Sequence, residues 1–342
     1  MTWSGRRAWQ LLLAIAVSAL LLWWAFRDVN LGEAAAYLRS VRIGWLLAAV
    51  AVATSLFPLR LVRWRLLLRR EDDTPYPWTP LWHAIAMGFA ANNVLPFRAG
   101  ELVRTAAASR LTGARFSTSL TSVAVERVFD ALTMVGLLGV SLLMPGIPEG
   151  ATIAGVPVRQ VATSAGWLAL GALVAAGMVV AFPLASERLV RTVLPKGAVT
   201  DRLVGILGGV RQGLTVLRSP MRLAAVIAWS VLLWLVNAGS FYLAFLAFDL
   251  PVNFAGAVML QGVLAFGIAI PSAPGFVGPF EAIIAAVLAL YGIGASQAIA
   301  YAVGYHVTTF IPITVLGAWS AARTGLGLGV TREGEEGTPA DA

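Results

Sequence analysis

Glu126, Arg127 and Asp130 lie about a third of the way into an otherwise apolar run, Ser117 to Leu143. Glu126 and Asp130 stand four apart and Arg127 precedes Asp130 by three, so a helix gathers all three on neighbouring positions. Ionised groups at membrane depth are costly, and they face a cavity or pair with one another. Two chemistries fit this set: an internal ion-pair clasp, or a path for a proton or an anionic headgroup. A second set, Arg98, Glu101 and Arg104, follows the break Asn92-Asn93-Val94-Leu95-Pro96-Phe97, with Glu101 and Arg104 three apart on one helical face. A third group is Glu281, alone after the break Pro271-Ser272-Ala273-Pro274-Gly275-Phe276-Val277-Gly278-Pro279.

Each break predicts a new helix start, near Gly100 and at Pro279, with free backbone N–H groups and a positive dipole end turned toward the membrane interior. Pro279 suits the first helical position, which needs no N–H partner. Such an end attracts an anion, and Arg98 beside the first adds a donor fork suited to phosphate. Alternatively, Glu101 and Glu281 cap these ends themselves. Asn92 and Asn93 are expected to bond the freed backbone, His306 to act as an interhelical hydrogen bonder beside Tyr301 and Tyr305, and His83 to sit at the interface. Two separated histidines and no cysteine give no metal-ligand spacing, disulfide or thiolate catalysis, so no metal and no cofactor is expected.

The elements that must position these groups are membrane helices. Of 342 residues, 58% are hydrophobic and 12% charged, with a mean hydropathy of +0.80, against about 25% charged in a soluble domain. A helix of about 20 apolar residues spans a bilayer. The runs that qualify are Trp9 to Phe26, Ile43 to Leu61, Ser117 to Leu143, Val161 to Phe182, Leu223 to Phe248 and Ser296 to Ala321. The first is read as an uncleaved anchor, and Val29 to Arg42 as a short interfacial helix. Trp78 to Arg104 and Asn253 to Tyr291 each comprise an apolar half, a Pro/Gly break and a second half, the pattern of a re-entrant hairpin.

The expected fold class is therefore an all-α polytopic membrane protein, with six spanning helices and two re-entrant hairpins. Its order, span, span, hairpin, span, occurs in residues 9–143 and again, entering from the opposite side, in 161–321. That is an inverted-topology repeat, with a substrate site near the midplane. Pro96-x-x-x-Gly100 and Pro274-x-x-x-Gly278 echo one another across the halves. Residues 1–321 form one transmembrane domain, and 322–342 are expected to be a disordered cytoplasmic tail. The net charge of +8 reflects arginines clustered beside apolar runs. Arg6 and Arg7, then Arg60, Arg63, Arg65, Arg69 and Arg70, then the loop holding Arg188 to Arg218, are assigned to the cytoplasmic side, with both termini inside. This placement explains the high pI without nucleic acid.

The runs Asn93-x-x-Pro96-x-Arg98-Ala99-Gly100-Glu101-x-x-Arg104, Ser122-Val123-x-x-Glu126-Arg127-x-x-Asp130 and Pro271-x-x-Pro274-Gly275-x-x-Gly278-x-x-Glu281 resemble the lysylphosphatidylglycerol synthase transmembrane region, a flippase-like membrane-protein family. The resemblance runs from about residue 9 to 321. It implies translocation of a phospholipid or lipid-linked headgroup across the cytoplasmic membrane. The implied headgroup residues are Arg98, Gly100, Glu101, Arg104, Glu126, Arg127, Asp130, Pro274, Gly278 and Glu281, with no catalytic residue. Members that make aminoacylated phosphatidylglycerol join this module to a soluble transferase domain, which the chain does not display, so lysyl transfer from tRNA is not expected. Archaeal relatives linked to glycosylation make a lipid-linked sugar a second substrate class. Phe276-Val277 departs from the more glycine-rich family pattern. The partner implied is thus a membrane lipid, an anionic phospholipid or lipid-linked sugar, with a homo-oligomer or a separately encoded partner left open. Two competing readings are a membrane transferase using Glu126, Asp130 or Glu101 as base, against which stands the lack of an Asp-x-Asp pair, and a non-catalytic recruiter working through the Arg-rich loop Ala185 to Arg222.

Overall fold

A computed structural model describes residues 5–95, 99–144, 219–267 and 272–327, with scattered positions between 152 and 200. The described chain is helical: α1 (Gly5–Phe26), α2 (Leu31–Arg39), α3 (Ile43–Leu67), α4 (Trp78–Val94), α5 (Gly100–Thr112), α6 (Phe116–Leu143), α7 (Pro220–Ala247), α8 (Phe254–Gly267), α9 (Pro279–Ala289) and α10 (Ala295–Thr324). A 3-10 turn, Pro274–Phe276, precedes α9, and Thr152–Ile153 pairs with Val156–Pro157 in a two-residue antiparallel bridge. The chain is a multi-pass membrane protein of several apolar helices.

Local chemistry sets the helix ends. Asn30 caps α2 by accepting from the N–H groups of Gly32 and Glu33. α5 and α10 stop at Gly113 and Gly325, both in the left-handed conformation that closes a helix. Pro279 opens α9, as its spacing predicts.

α3, α7 and α10 are long and apolar enough to cross a membrane, and α1 with α2, bent by 84° between them, makes a fourth candidate among the described residues. α6 has 28 residues, yet no 18-residue stretch of it avoids Glu126, Arg127 and Asp130. The expected span Val161 to Phe182, the loop around Arg188 to Arg218 and nearly all of the tail lie outside the described residues. α10 does run on through Ala322, Arg323 and Thr324, so the expected tail boundary at 322 falls inside a helix. α3 likewise continues to Leu67 rather than stopping at Leu61. Arg60 and Arg63 are therefore not loop residues: Leu61, Trp64 and Leu67 prolong the apolar face, and both arginines are buried.

Packing follows a regular plan. α3 lies against α7. The arms of one hairpin, α4 and α5, pack together, as do those of the other, α8 and α9. The first arm of each hairpin also packs on the last long helix of the other half, α4 on α10 and α8 on α6, while the second arm packs within its own half, α5 on α6 and α9 on α10. One core centres on Trp64, Leu81, Ile85, Val103 and Val123, and the other on Phe245, Leu260, Ile284, Leu288 and Tyr301. Outward positions such as Trp9, Leu20, Trp23, Ile43, Ile311 and Val315 are exposed apolar side chains, the face a membrane helix shows to lipid.

Candidate functional site

Glu126 on α6 is wholly buried, and Arg104 on α5 grips it with two parallel bonds, Nη1 to Oε1 and Nη2 to Oε2, each 2.9 Å. Such bidentate, charge-assisted pairs are the strong ones. Arg104 thus answers Glu126 and not Glu101, its neighbour on the same helical face. Glu126, lacking any route to water, must have a cation, whereas Glu101 sits half-buried beside Gly88, Asn92, Gly100, Arg104 and Arg127 at a small pocket. Arg127, at the exposed edge, reaches Glu126 Oε1 at 2.7 Å and Asp130 Oδ2 at 3.1 Å.

Two arginines that spacing alone assigned to a loop complete the cluster. Arg63 Nη1 donates to Asp130 Oδ1 at 2.6 Å and to Ser230 Oγ at 3.0 Å, and Arg63 Nη2 lies 3.2 Å from Glu126 Oε1. Trp234 Nε1 also donates to Asp130 Oδ1, and the Trp64 ring lies under the Arg104 guanidinium. Arg60 is held differently. Its Nη1 stays 3.8 Å from Glu126 and 3.9 Å from Asp130, beyond hydrogen-bond reach, and Nε and Nη1 have no hydrogen-bond partner. The guanidinium rests near the rings of Phe89 and Trp234. Three buried guanidiniums and the half-exposed Arg127 meet two carboxylates, and the cluster joins α3, α5, α6 and α7 with a surplus of positive charge.

At the first break, Arg98 and Pro96 lie outside the described residues. The start of α5 is capped by Asn92, whose Oδ1 accepts from the Gly100 N–H at 2.8 Å, so Glu101 does not perform the capping. Gly100 and Gly88 meet where α4 and α5 cross, and a methyl group on Gly100 would collide with the Gly88 carbonyl and the Asn92 side chain. Asn93 Nδ2 donates to Thr314 Oγ1 at 2.9 Å, tying the end of α4 to α10.

At the second break the alternative reading, a self-cap, does occur: Glu281 Oε2 accepts from the Gly278 N–H at 2.7 Å. Gly278 adopts φ +101°, with the backbone of Ser18 packed where a side chain would be, and this is why the position is glycine. Pro274 opens the 3-10 turn, and the Ala273 N–H donates to Ser18 Oγ on α1 at 2.8 Å. Glu281 is not alone, however. Its Oε1 lies 2.6 Å from His306 Nδ1, and His306 Nε2 lies 2.9 Å from the Gly275 carbonyl oxygen. His306 therefore bridges helices, as expected of it. His83, expected at the interface, is instead buried, bonded to Ser320 Oγ at 3.1 Å and packed on Trp319.

Between the breaks lies a cavity of about 250 Å³. Arg60 and Asn237 line it on one side, His306 and Thr309 on another, and Phe57, Phe89, Phe276, Phe280 and Phe310 supply most of the remaining wall. Asn93 and Asn237 each donate to a neighbouring side chain, Thr314 and Gln261. An amphiphile with one anionic group and a short polar body matches this lining: the buried cation offers donors, the amides offer acceptors, and the rings receive apolar surface. Of the sequence-predicted residues, Arg104, Glu126, Arg127 and Asp130 converge in one cluster with Gly100 and Glu101 at its edge. Pro274, Gly278 and Glu281 form a separate group, whose neighbours Gly275 and His306 line the cavity together with Arg60. Arg60, Arg63, Asn237 and His306 were missed as site residues. The available signals were the Arg60–Arg63 spacing of three beside Trp64, and the amide of Asn237 and the imidazole of His306 within long, mostly apolar runs.

A family model of the lysylphosphatidylglycerol synthase transmembrane region matches residues 11–317. The chain is 28% identical over 265 residues to glycosyltransferase AglD of Haloferax volcanii, covering 68% of this chain and 41% of that protein, so it spans about two fifths of that relative's length. It is 24% identical over 285 residues to a UPF0104 membrane protein of Methanothermobacter thermautotrophicus, covering 80% of this chain and 82% of the relative. No solved structure matches.

Proposed function

This chain belongs to the lysylphosphatidylglycerol synthase transmembrane-region family, and from that premise we propose that it carries the headgroup of an anionic lipid across the cytoplasmic membrane. The observation that carries this reading is the Arg60 guanidinium, buried at the wall of an aromatic cavity between two broken helices, with carboxylates no nearer than 3.8 Å and no hydrogen-bond partner on Nε or Nη1. A buried cation without a hydrogen-bonded partner is costly, and a phosphate oxygen docked on its free N–H groups removes that cost. The acyl or prenyl chains stay in the surrounding lipid while the headgroup occupies the cavity.

The Arg63–Asp130 and Arg104–Glu126 pairs act as the frame that holds Arg60 in place. Arg98, two residues before Gly100 in the sequence, supplies a second guanidinium suited to phosphate. Six crossings with an inverted repeat supply the machinery, since such halves rock against each other around a midplane site. The packing plan supports that symmetry: exchanging the halves maps α4 on α10 to α8 on α6, and α5 on α6 to α9 on α10. Two ion pairs near helix ends support the sidedness. Arg42, before α3, pairs with Asp249, after α7, and Asp73, after α3, pairs with Arg222, at the start of α7, so each pair joins ends that the six-crossing scheme puts on one side, the first outside and the second inside.

The cargo class is an anionic phospholipid or a lipid-linked sugar phosphate. Similarity to a glycosyltransferase favours the second and keeps a lipid-linked transferase as the alternative. Against the transferase, Glu126 and Asp130 are already engaged by guanidiniums, a poor arrangement for a general base. The test is a leaflet-exposure assay in vesicles containing the purified protein and either fluorescent phosphatidylglycerol or a fluorescent polyprenyl-phosphate sugar. Movement of one probe without chemical change is expected, with loss of that movement in Arg60→Gln. A modified headgroup recovered by mass spectrometry, or wild-type movement in a folded Arg60→Gln, would overturn the proposal.

A further inference from the structure

The second break is held by a chain of contacts whose proton count follows from its acceptors. The Gly275 carbonyl can only accept, so His306 Nε2 carries a hydrogen. A neutral imidazole protonated there has a bare lone pair at Nδ1, and an ionised carboxylate presents another at Glu281 Oε1. Two lone pairs do not sit 2.6 Å apart. One further proton must lie between them, as imidazolium with carboxylate or as neutral imidazole with carboxylic acid. Both forms hold the same number of protons and carry no net charge.

We propose that Glu281 and His306 form a dissociable proton site, and that release of this proton opens the second broken helix into the cavity. Backbone geometry gives the release an effect. Gly275 and Phe276 have φ values of +72° and +61°, and for a bulky residue such as Phe276 the left-handed region is strained. The contact from His306 to the Gly275 carbonyl restrains the residue next to that strain. Without the proton, Nδ1 and Oε1 repel, the imidazole leaves, and Gly275 loses its partner. Glu281 keeps its bond to the Gly278 N–H, so α9 retains its cap while the turn before it is freed.

The surroundings leave few competing charges. Facing the pair are Tyr305 on α10, whose hydroxyl bonds Ser240 Oγ at 2.8 Å, and Arg60 across the cavity on α3. α1 contributes Ser18 and carries no ionisable group from residue 8 to 26. α8 and the 3-10 turn carry none, Glu281 is the only one on α9, and α2 and α4, which also pack on α10, carry the exposed Glu33, Tyr37 and Arg39 and the buried His83 beside Ser320. His306 lines the cavity, so the proton and the anionic headgroup of the function proposed above share one chamber. An anion at Arg60 favours the protonated pair, and by linkage the proton favours the anion.

The experiment is amide hydrogen exchange of the segment 272–282 in detergent-purified protein over a range of pH, corrected for intrinsic exchange. In wild type, protection is expected to fall as pH rises, approaching tenfold per pH unit on the sloping limb. In Glu281→Gln, the amide accepts from Gly278 and donates to Nδ1, so the contact persists without a dissociable proton and protection is expected to stay flat. The wild-type slope is decisive even if the variant does not fold: pH-independent protection overturns the proposal. The vesicle assay separates the two readings, because titrating protection without lipid movement upholds the proton site and removes only the transport role.

Discussion

The two broken helices are stabilised by opposite means. The first is pinned by a network of guanidiniums and carboxylates reaching four helices, and its α5 terminus is capped by a neutral amide, Asn92. The second is held by one carboxylate, one imidazole and the Ser18 hydroxyl, and the same Glu281 serves both the cap and the pair. In the first, each carboxylate meets more than one guanidinium, so no single contact decides the geometry. In the second, one proton does. A membrane interior tolerates ionised groups only as satisfied sets, and the contrast indicates how such sets divide labour: many charges make an anchor, few make a latch.

The sharpest way to break the anchor is Glu126→Gln. It leaves Arg104 without its bidentate partner and Arg63 and Arg127 short of one, and losing one member of a buried pair costs about 3–5 kcal/mol. A large fall in the melting midpoint of detergent-solubilised protein is expected. Asp130→Asn should act in the same direction and less strongly, because Arg127 and Arg63 retain Glu126.

Gly100→Ala tests the anchor through space instead of charge. A new methyl group meets the Gly88 carbonyl and Asn92, and an overpacked contact of this kind costs about 1–3 kcal/mol. The midpoint should drop by an intermediate amount, and Gly88→Ala, which presses on Arg104 from the other helix, should mimic it. Removing the cap alone, Asn92→Ala, is expected to cost about 1 kcal/mol, measured by the same thermal scan.

Arg60 and Arg63 sharpen the comparison within a single helix, since they stand three residues apart with opposite duties. Arg63→Gln strips Asp130 of its closest partner and should destabilise the protein. Arg60→Gln removes a cation that lacks a hydrogen-bonded partner, so stability should be unchanged or slightly raised while lipid movement falls. Equal losses of stability in the two variants would erase the distinction between frame and ligand contact.

The smallest effect belongs to the loops. A hydrogen bond from Arg222 holds the exposed Asp73 carboxyl below the usual carboxylate range. A depressed folded-state value means the contribution is present at neutral pH and is lost as pH falls through that value. Because Asp73 is fully exposed and screened, Asp73→Asn should leave the melting midpoint unchanged at neutral pH.

Much of this arrangement was legible in the sequence. α6, α7 and α10 start and stop within a few residues of the apolar runs that announce them, and the Pro279 start follows from proline's missing N–H. The depth of Glu126 and Asp130 was legible too, since both fall inside the apolar run from Ser117 to Leu143. Their partners were not. Arg63 lies 67 residues from Asp130 and Arg104 lies 22 from Glu126, so periodicity along one helix carries no record of either pairing. Arg60 and Arg63 were misassigned because arginines after an apolar run also mark a cytoplasmic loop, and only the carboxylates of another helix decide between loop and core. Glu281 looked solitary for the same reason, its partner His306 being on α10.

The contact of α4 with α10 also governs how the chain is made. Gly317 on α10 passes so close to Ala86 and Ala90 on α4 that a methyl group there has no room. Val94 ends α4 and Ala295 begins α10, 201 residues later. At about 5–20 residues per second of synthesis, α4 waits roughly 10 to 40 seconds for the surface it fits. Through that interval the first hairpin is inserted with one flank bare, so a ribosome stalled before α10 leaves a small-residue seam open to chaperones and membrane proteases.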